Sequence, residues 1–225
     1  MKAPNLKRKL RPATPRTEPW HPYAWQAQSL LLAYPDEDFG QKLSLARRVA
    51  PALPEQVRVP LLAFTAHAER TPAAELGAAY VATFDHRKRC CPYLTYYAHG
   101  DTRKRGIALL RLKQAYARAG LRLAEDELPD HLAVVLEFAG AEPAAGHRLL
   151  LEHRAGLELL RLALGEDDSP WAHLLRSVSA TLPPLKGDER EAVARLAAEG
   201  PPGEEVGLAP YAPPQFMPDP QGGPR

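Results

Sequence analysis

The chain has almost no cysteine. Only Cys90 and Cys91 occur among 225 residues, and they are neighbours. A bond between adjacent cysteines would be strained and would staple nothing, so a disulfide framework is excluded. The count fits a reducing compartment. Long apolar runs are also missing. No stretch approaches the ~20 apolar residues of a membrane-spanning helix. The leading segment MKAPNLKRKLRPATPRTEP is basic but has no apolar h-region, so it does not read as a secretory signal. Neither sign of charge dominates, with 29 Lys and Arg against 27 Asp and Glu and a net charge of +2. A nucleic-acid-binding domain usually carries a clear basic excess. Strand-like alternation is hard to find and β-branched residues are sparse. No internal repeat and no complete catalytic constellation is evident. These absences predict a soluble, cytoplasmic protein that is not an enzyme, enters no membrane and binds no nucleic acid.

What is present suits an ordinary globular domain. The hydrophobic fraction is 45% and the charged fraction 25%, both near the norm. A chain of this length buries roughly 70% of the surface that its unfolded form exposes. Many of the 24 prolines fall in two flanks. Residues 1–19 are basic and Pro-rich; residues 200–225 are rich in Pro and Gly, with too few apolar groups for a core. Both read as disordered tails around a domain spanning 20–199.

That domain reads as all-α, a single bundle of about eight to ten helices. The apolar spacing predicts helices over 23–34, 38–49, 55–70, 73–85, 102–120, 130–140 and 144–164, and two more opening near Ser169 and Asp188. Tyr93 to Tyr97 reads as one further turn. Pro60 predicts a kink or a late start near Val59 in the third helix. Asp101, Asp130, Ser169 and Asp188 are the expected N-caps, because their side chains can accept the free amides of a first turn.

The stretch Tyr80–Tyr116 is the most informative. It combines aromatic residues, two basic triplets, the Cys pair and a His-Gly-Asp turn at the start of an amphipathic helix. Adjacent cysteines lack the C-x2-C spacing of a zinc site, so Cys90, Cys91, His86 and His99 read as no metal centre. Arg87-Lys88-Arg89 and Arg103-Lys104-Arg105 read either as anion-binding groups or as surface charge paired with acids such as Asp85 and Asp101. Arg103 to Arg105 open a helix, where the macrodipole disfavours cations. This local conflict hints at a functional reason for the second triplet. His153, in an apolar stripe, reads as a core histidine.

Three segments resemble the NarJ-type assembly chaperones of respiratory nitrate reductase, within the wider TorD/DmsD group of redox-enzyme maturation proteins. They are LLLAYPDE (Leu30–Glu37), Tyr80–Gly120 almost throughout, and ELPDHLAVVLEFAG (Glu127–Gly140). The group's aromatic-x-x-Leu-Phe element falls on Tyr80 to Phe84, with Thr83 where Leu is usual. Its Glu-Pro-x-Asp-His element falls on Glu127, Asp130 and His131, with Leu128 at the Pro position and Pro129 one place later. The resemblance implies an all-helical cytoplasmic protein that holds no cofactor of its own. It implies binding of the N-terminal segment of the apo catalytic (alpha) subunit of nitrate reductase, kept competent for insertion of molybdenum cofactor and iron–sulfur clusters before membrane docking. Molybdenum-cofactor biosynthesis proteins are implied as further partners. Another molybdoenzyme of the same superfamily is the alternative client, and a nucleic-acid-binding helical module the alternative class.

An amphipathic client segment needs an apolar groove with a charged rim. The expected lining is Tyr80, Phe84, Tyr96, Tyr97, Ile107 and Leu110. The expected rim is His99, Asp101, Arg103, Glu127, Asp130 and His131.

Overall fold

Eleven α-helices make up the described part of the chain, which in this computed structural model is residues 16–124 and 127–199. They are α1 (His21–Leu32), α2 (Phe39–Val49), α3 (Glu55–Arg70), α4 (Ala73–Phe84), α5 (Leu94–His99), α6 (Arg103–Arg118), α7 (Leu132–Ala141), α8 (Pro143–Glu152), α9 (Arg154–Glu166), α10 (Trp171–Ser179) and α11 (Gly187–Glu199). The expected all-α bundle is what the chain forms. Two helices exceed the reading: the 93–97 turn lengthens into α5, and the expected 144–164 helix breaks at His153 into α8 and α9. Of the expected tails, 1–19 and 200–225, residues 1–15 and 200–225 lie outside the described residues, while 16–19 lead into α1.

The centre of the bundle is α7, in which every residue from Leu132 to Ala139 is buried except Glu137. A helix apolar on nearly all sides has to be surrounded. It lies against α1 and α8, while α1 also meets α2 and α10, and α10 packs on α3 and α9. Trp25, Phe64, Leu136, Leu157 and Trp171 are almost fully buried in the main core. Each such side chain is stabilised by roughly 1.5–3 kcal/mol relative to exposure. Polar bonds fix the register of this packing. Trp25 donates to Thr181 Oγ1 at 2.9 Å, Gln28 to Ser177 Oγ at 2.9 Å, Ser177 to the Val57 carbonyl at 2.8 Å and Ser29 to the Ala133 carbonyl at 2.7 Å. Inside, Arg154 and Arg161 hold the buried Glu158 carboxylate at 2.9 and 2.6 Å. Gly146 lets α8 meet α7: a Cβ built there would lie 2.2 Å from Ala139 Cα.

Several local expectations are corrected. Helix α3 starts at Glu55 and carries Pro60 inside it, so there is no late start. Asp101 does not cap α6; Thr102 holds that position without capping the helix, its hydroxyl donating back to the His99 carbonyl at 2.8 Å, and Asp101 binds Arg105 Nη1 at 2.9 Å. Asp130 does not cap α7. His131 does, its Nδ1 accepting from the Ala133 amide at 3.2 Å. Pro170, not Ser169, precedes α10. At α11 it is Glu189 that reaches back to the Lys186 amide, at 2.7 Å, in place of a cap by Asp188. In each case the expected capping residue lies one or two places from the actual boundary. His153 sits half-buried at the α8–α9 junction, in contrast to the core position expected.

Candidate functional site

The Tyr80 to Tyr116 stretch folds into three different environments. The first is interior. Tyr80 and Phe84 are neighbours on α4, with ring centroids 4.7 Å apart, and both stack edge-on against Trp171. The Tyr80 hydroxyl donates to the Leu32 carbonyl at 3.1 Å, and burial pushes its pKa well above the usual phenol range. Tyr97 is similarly enclosed, donating to the Cys91 carbonyl at 2.9 Å, and a Cβ on Gly156 would meet its ring at 2.9 Å.

The second environment is a buried polar junction. Asp130 has no exposed surface. Its Oδ2 accepts from the Thr95 hydroxyl and, at 3.4 Å, from Arg105 Nη2. Arg105 also donates to Thr95 Oγ1 at 3.3 Å and lies over the Tyr93 ring at 5.5 Å. The chain on either side is paired as well: Leu94 N–H donates to the Asp130 carbonyl and Leu132 N–H to the Pro92 carbonyl, both at 2.9 Å. One carboxylate thus gathers α5, α6 and the lead into α7. Of the expected rim, Asp101 and Asp130 meet here through Arg105.

The third environment is open. A cleft of about 350 Å³ lies between α1, α7 and the 127–131 segment, with Tyr34, Tyr80, Tyr93, Leu128, Glu127 and His131 around it. Leu30, Ala33 and Val134 add apolar wall; Gln26 and Glu137 add polar rim. Tyr80, Glu127 and His131 are the expected site residues it brings together. His131 is held edge-on against Tyr93, 5.3 Å between centroids, and burial lowers its pKa. Because Nδ1 accepts an amide hydrogen, the neutral ring carries its proton on Nε2. Tyr34 and Tyr93 had no part in the expected groove. Tyr34 lies in LLLAYPDE, at the end of the predicted 23–34 helix and two residues beyond the actual α1, and that position was the available signal.

The remaining expected residues point elsewhere. Ile107 and Leu110 are 58% and 55% exposed on the outer face of α6, with Arg103 exposed beside them. Tyr96 lines a different cleft, against α9 and α11. Helix α6 reaches the interior through Leu112 and Tyr116, which join Val134 and Phe138 in a small cluster of their own. In the first basic triplet, Arg87 pairs with Asp167 at 2.6 Å and Arg89 with Glu166 at 3.1 Å, so these two read as paired surface charge. Burial raises both thiols, Cys90 and Cys91, to about 11, which leaves them protonated near neutrality. Among the described residues no group of three or more His, Cys, Asp or Glu could hold a metal, and no helix is long and apolar enough to cross a membrane.

This geometry coincides with a recognised sequence family. The nitrate reductase delta subunit family matches residues 50–176, which takes in α3 to α9, the buried junction and the 127–131 side of the cleft. The probable nitrate reductase molybdenum cofactor assembly chaperone NarJ of Bacillus subtilis is 36% identical over 160 residues, 70% of this chain and 87% of that protein. The nitrate reductase-like protein NarX of Mycobacterium tuberculosis is 35% identical over 168 residues, 74% of this chain; the match spans only 25% of that relative's length. A solved structure from Archaeoglobus fulgidus, named for redox enzyme maturation, superimposes with a TM-score of 0.55 at 24% identity, covering 76% of this chain and 98% of that one. The last similarity is one of fold.

Proposed function

The chain belongs to the nitrate reductase delta subunit family, and from that premise we propose that it is an assembly chaperone, not an enzyme, that acts on a nitrate reductase before its molybdenum cofactor is inserted. The client is the apo catalytic subunit, gripped by its N-terminal segment, in the cytoplasm. The name of the B. subtilis relative supports the coarser role. The observation that carries the finer one is the cleft at Tyr34, Tyr93, Leu128 and His131, with apolar walls and a rim of Gln26, Glu127 and Glu137. An amphipathic segment would lay its apolar side on Leu30, Ala33, Leu128 and Val134 and turn its polar side to that rim. The cleft is shallow and half polar, which suits a guest that must leave once assembly is complete. Ile107, Leu110 and Arg103 would serve a longer client as a second strip along α6. Molybdenum-cofactor biosynthesis proteins are further proposed partners.

The test is binding of a synthetic peptide of the catalytic subunit's N-terminal segment, measured by calorimetry. Leu128→Asp places a charge on an exposed cleft residue and should weaken binding by about tenfold or more, since burying an unpaired charge costs well over 1 kcal/mol. Ile107→Asp should do so only for a peptide long enough to reach α6. Unchanged affinity in Leu128→Asp protein with an intact helical spectrum would refute the cleft as the binding site.

A further inference from the structure

A second cleft, outside the proposed client site, has a volume of about 510 Å³ and lies where α9 and α11 meet α5. Its walls are Leu159, Leu162 and Ala163 of α9, Leu196 of α11 and the ring of Tyr96, and Lys88 and Arg89 stand at its edge. Leu162 is 41% exposed there. On α11 only Val193 is buried, so the helix is little packed into the core, and its Leu196 and Ala197 border the cleft. Glu166 lines the cleft as well, and Arg89 is already paired with it and with Asp167, which leaves Lys88 as the edge cation without a partner among the described residues. An apolar floor beside that cation suits a ligand in which an acidic group is followed by apolar or aromatic ones.

Such a sequence starts at the lip of the cleft. Leu196 and Ala197 line it, α11 ends at Glu199, and the chain continues as GPPGEEVGLAPYAPPQFMPDPQGGPR. This segment has three acids, Glu204, Glu205 and Asp219, against the single base Arg225. Val206, Leu208, Tyr211 and Phe216 follow the acidic pair, spaced by prolines at 210, 213 and 214. Pro-rich strands with aromatic residues are suited to aromatic-lined grooves, because proline has already removed much of the backbone freedom lost on binding. Four residues separate Glu199 from the acidic pair, so Glu204 and Glu205 can lie up to about 17–21 Å from Glu199, at ~3.3–3.6 Å per residue. We infer that the second cleft is the seat of the chain's own segment 204–216, with Glu204 or Glu205 at Lys88 and the Val206–Phe216 side chains over Leu162 and Leu196. Tethering makes the attachment intramolecular, so even a weak contact is populated at the millimolar effective concentration of a short linker. Docked, the segment covers the apolar surface that α11 leaves open.

Carbodiimide coupling of the full-length chain tests this, because it joins a carboxylate to an amine only where the two already touch. Mass spectrometry should find Lys88 joined to Glu204 or Glu205 within one molecule. Leu162→Asp, at an exposed position, should reduce that product at least tenfold, and the free client peptide should leave it unchanged. Absence of the Lys88 product, or an equal yield in Leu162→Asp protein, overturns the inference. A product found only between two molecules overturns it too, since the occupant is then a second copy. Loss of the product on adding the client peptide would place both ligands in one cleft and refute this assignment, whereas client binding that fails in its own assay leaves the coupling result standing.

Discussion

Replacing Asp130 by Ala should be among the more damaging single changes to this protein outside the apolar core, although the residue touches no other charge closely except Arg105. The carboxylate is fully buried and accepts the Thr95 hydroxyl and one Arg105 nitrogen. A hydrogen bond to a charged group contributes about 1.5–3 kcal/mol. The Arg105 bond is long, at 3.4 Å, and belongs at the weak end. Against this, Oδ1 finds no partner among the described residues, so its removal relieves part of a desolvation cost. Arg105 keeps Asp101, and its side chain remains 17% exposed, so it is not left as an isolated buried charge. The net loss is about 2–3 kcal/mol, which for a body of this size lowers Tm by about 4–12 °C. Asp101→Ala is the control. Its carboxylate binds the same guanidinium but is 70% exposed, and such a pair contributes under ~1 kcal/mol. Thermal unfolding followed by circular dichroism at 222 nm separates them. If the two variants melt within 2 °C of one another, the junction does not hold α5, α6 and α7 together and the reasoning from burial is wrong.

Two further outcomes follow from the interior. His147 is 3% exposed with neither ring nitrogen bonded among the described residues, and burial, reinforced by His21 at 5.7 Å, brings its pKa from 6.5 to about 4. The unfolded chain therefore takes up a proton first. Stability from this group is complete above pH 6.5, falls as pH drops, and levels near pH 4, with a total loss of roughly 3 kcal/mol. Urea melts at pH 7 and pH 5 should differ less in His147→Phe protein than in the parent; an unchanged difference would show that His147 is not the group responsible. Gly146→Ala should cost about 1–3 kcal/mol by forcing α8 from α7, seen as a lower urea midpoint at constant slope, and an unaltered midpoint would contradict the close approach.

The helices were legible because periodicity marks any segment with one buried face, as the Leu157, Leu160 and Leu164 stripe of α9 and the Trp171, Leu174, Leu175 and Val178 face of α10 do. Boundaries were less legible. Asp101 and Asp130 each precede a helix with the chemistry of a cap, yet each accepts from Arg105, a tertiary partner that no local rule contains. The break at His153 escaped notice because Leu150, Leu157, Leu160 and Leu164 keep the 3.6-residue spacing across it. The site was half legible. Glu127 and His131 lie in one short segment, and the chain itself holds them together. Tyr80 joins them only through the tertiary fold, its hydroxyl bonded to the Leu32 carbonyl at the end of α1, and Ile107 and Leu110 are turned away because Leu112, Tyr116 and Arg105 take the inner side of α6.

Leu112 and Tyr116 anchor α6 in a four-residue cluster that is separate from the main core. Apart from the Arg105 junction and the Tyr116 bond to the Pro129 carbonyl, nothing else among the described residues of the main core holds it, so α6 is expected to open at a lower free energy than the whole. Its amide hydrogens should exchange well before those of α1 or α7. A rigid scaffold would hold Ile107 and Leu110 at a single distance from the cleft; a separately opening α6 would let that distance change while the main core stays folded.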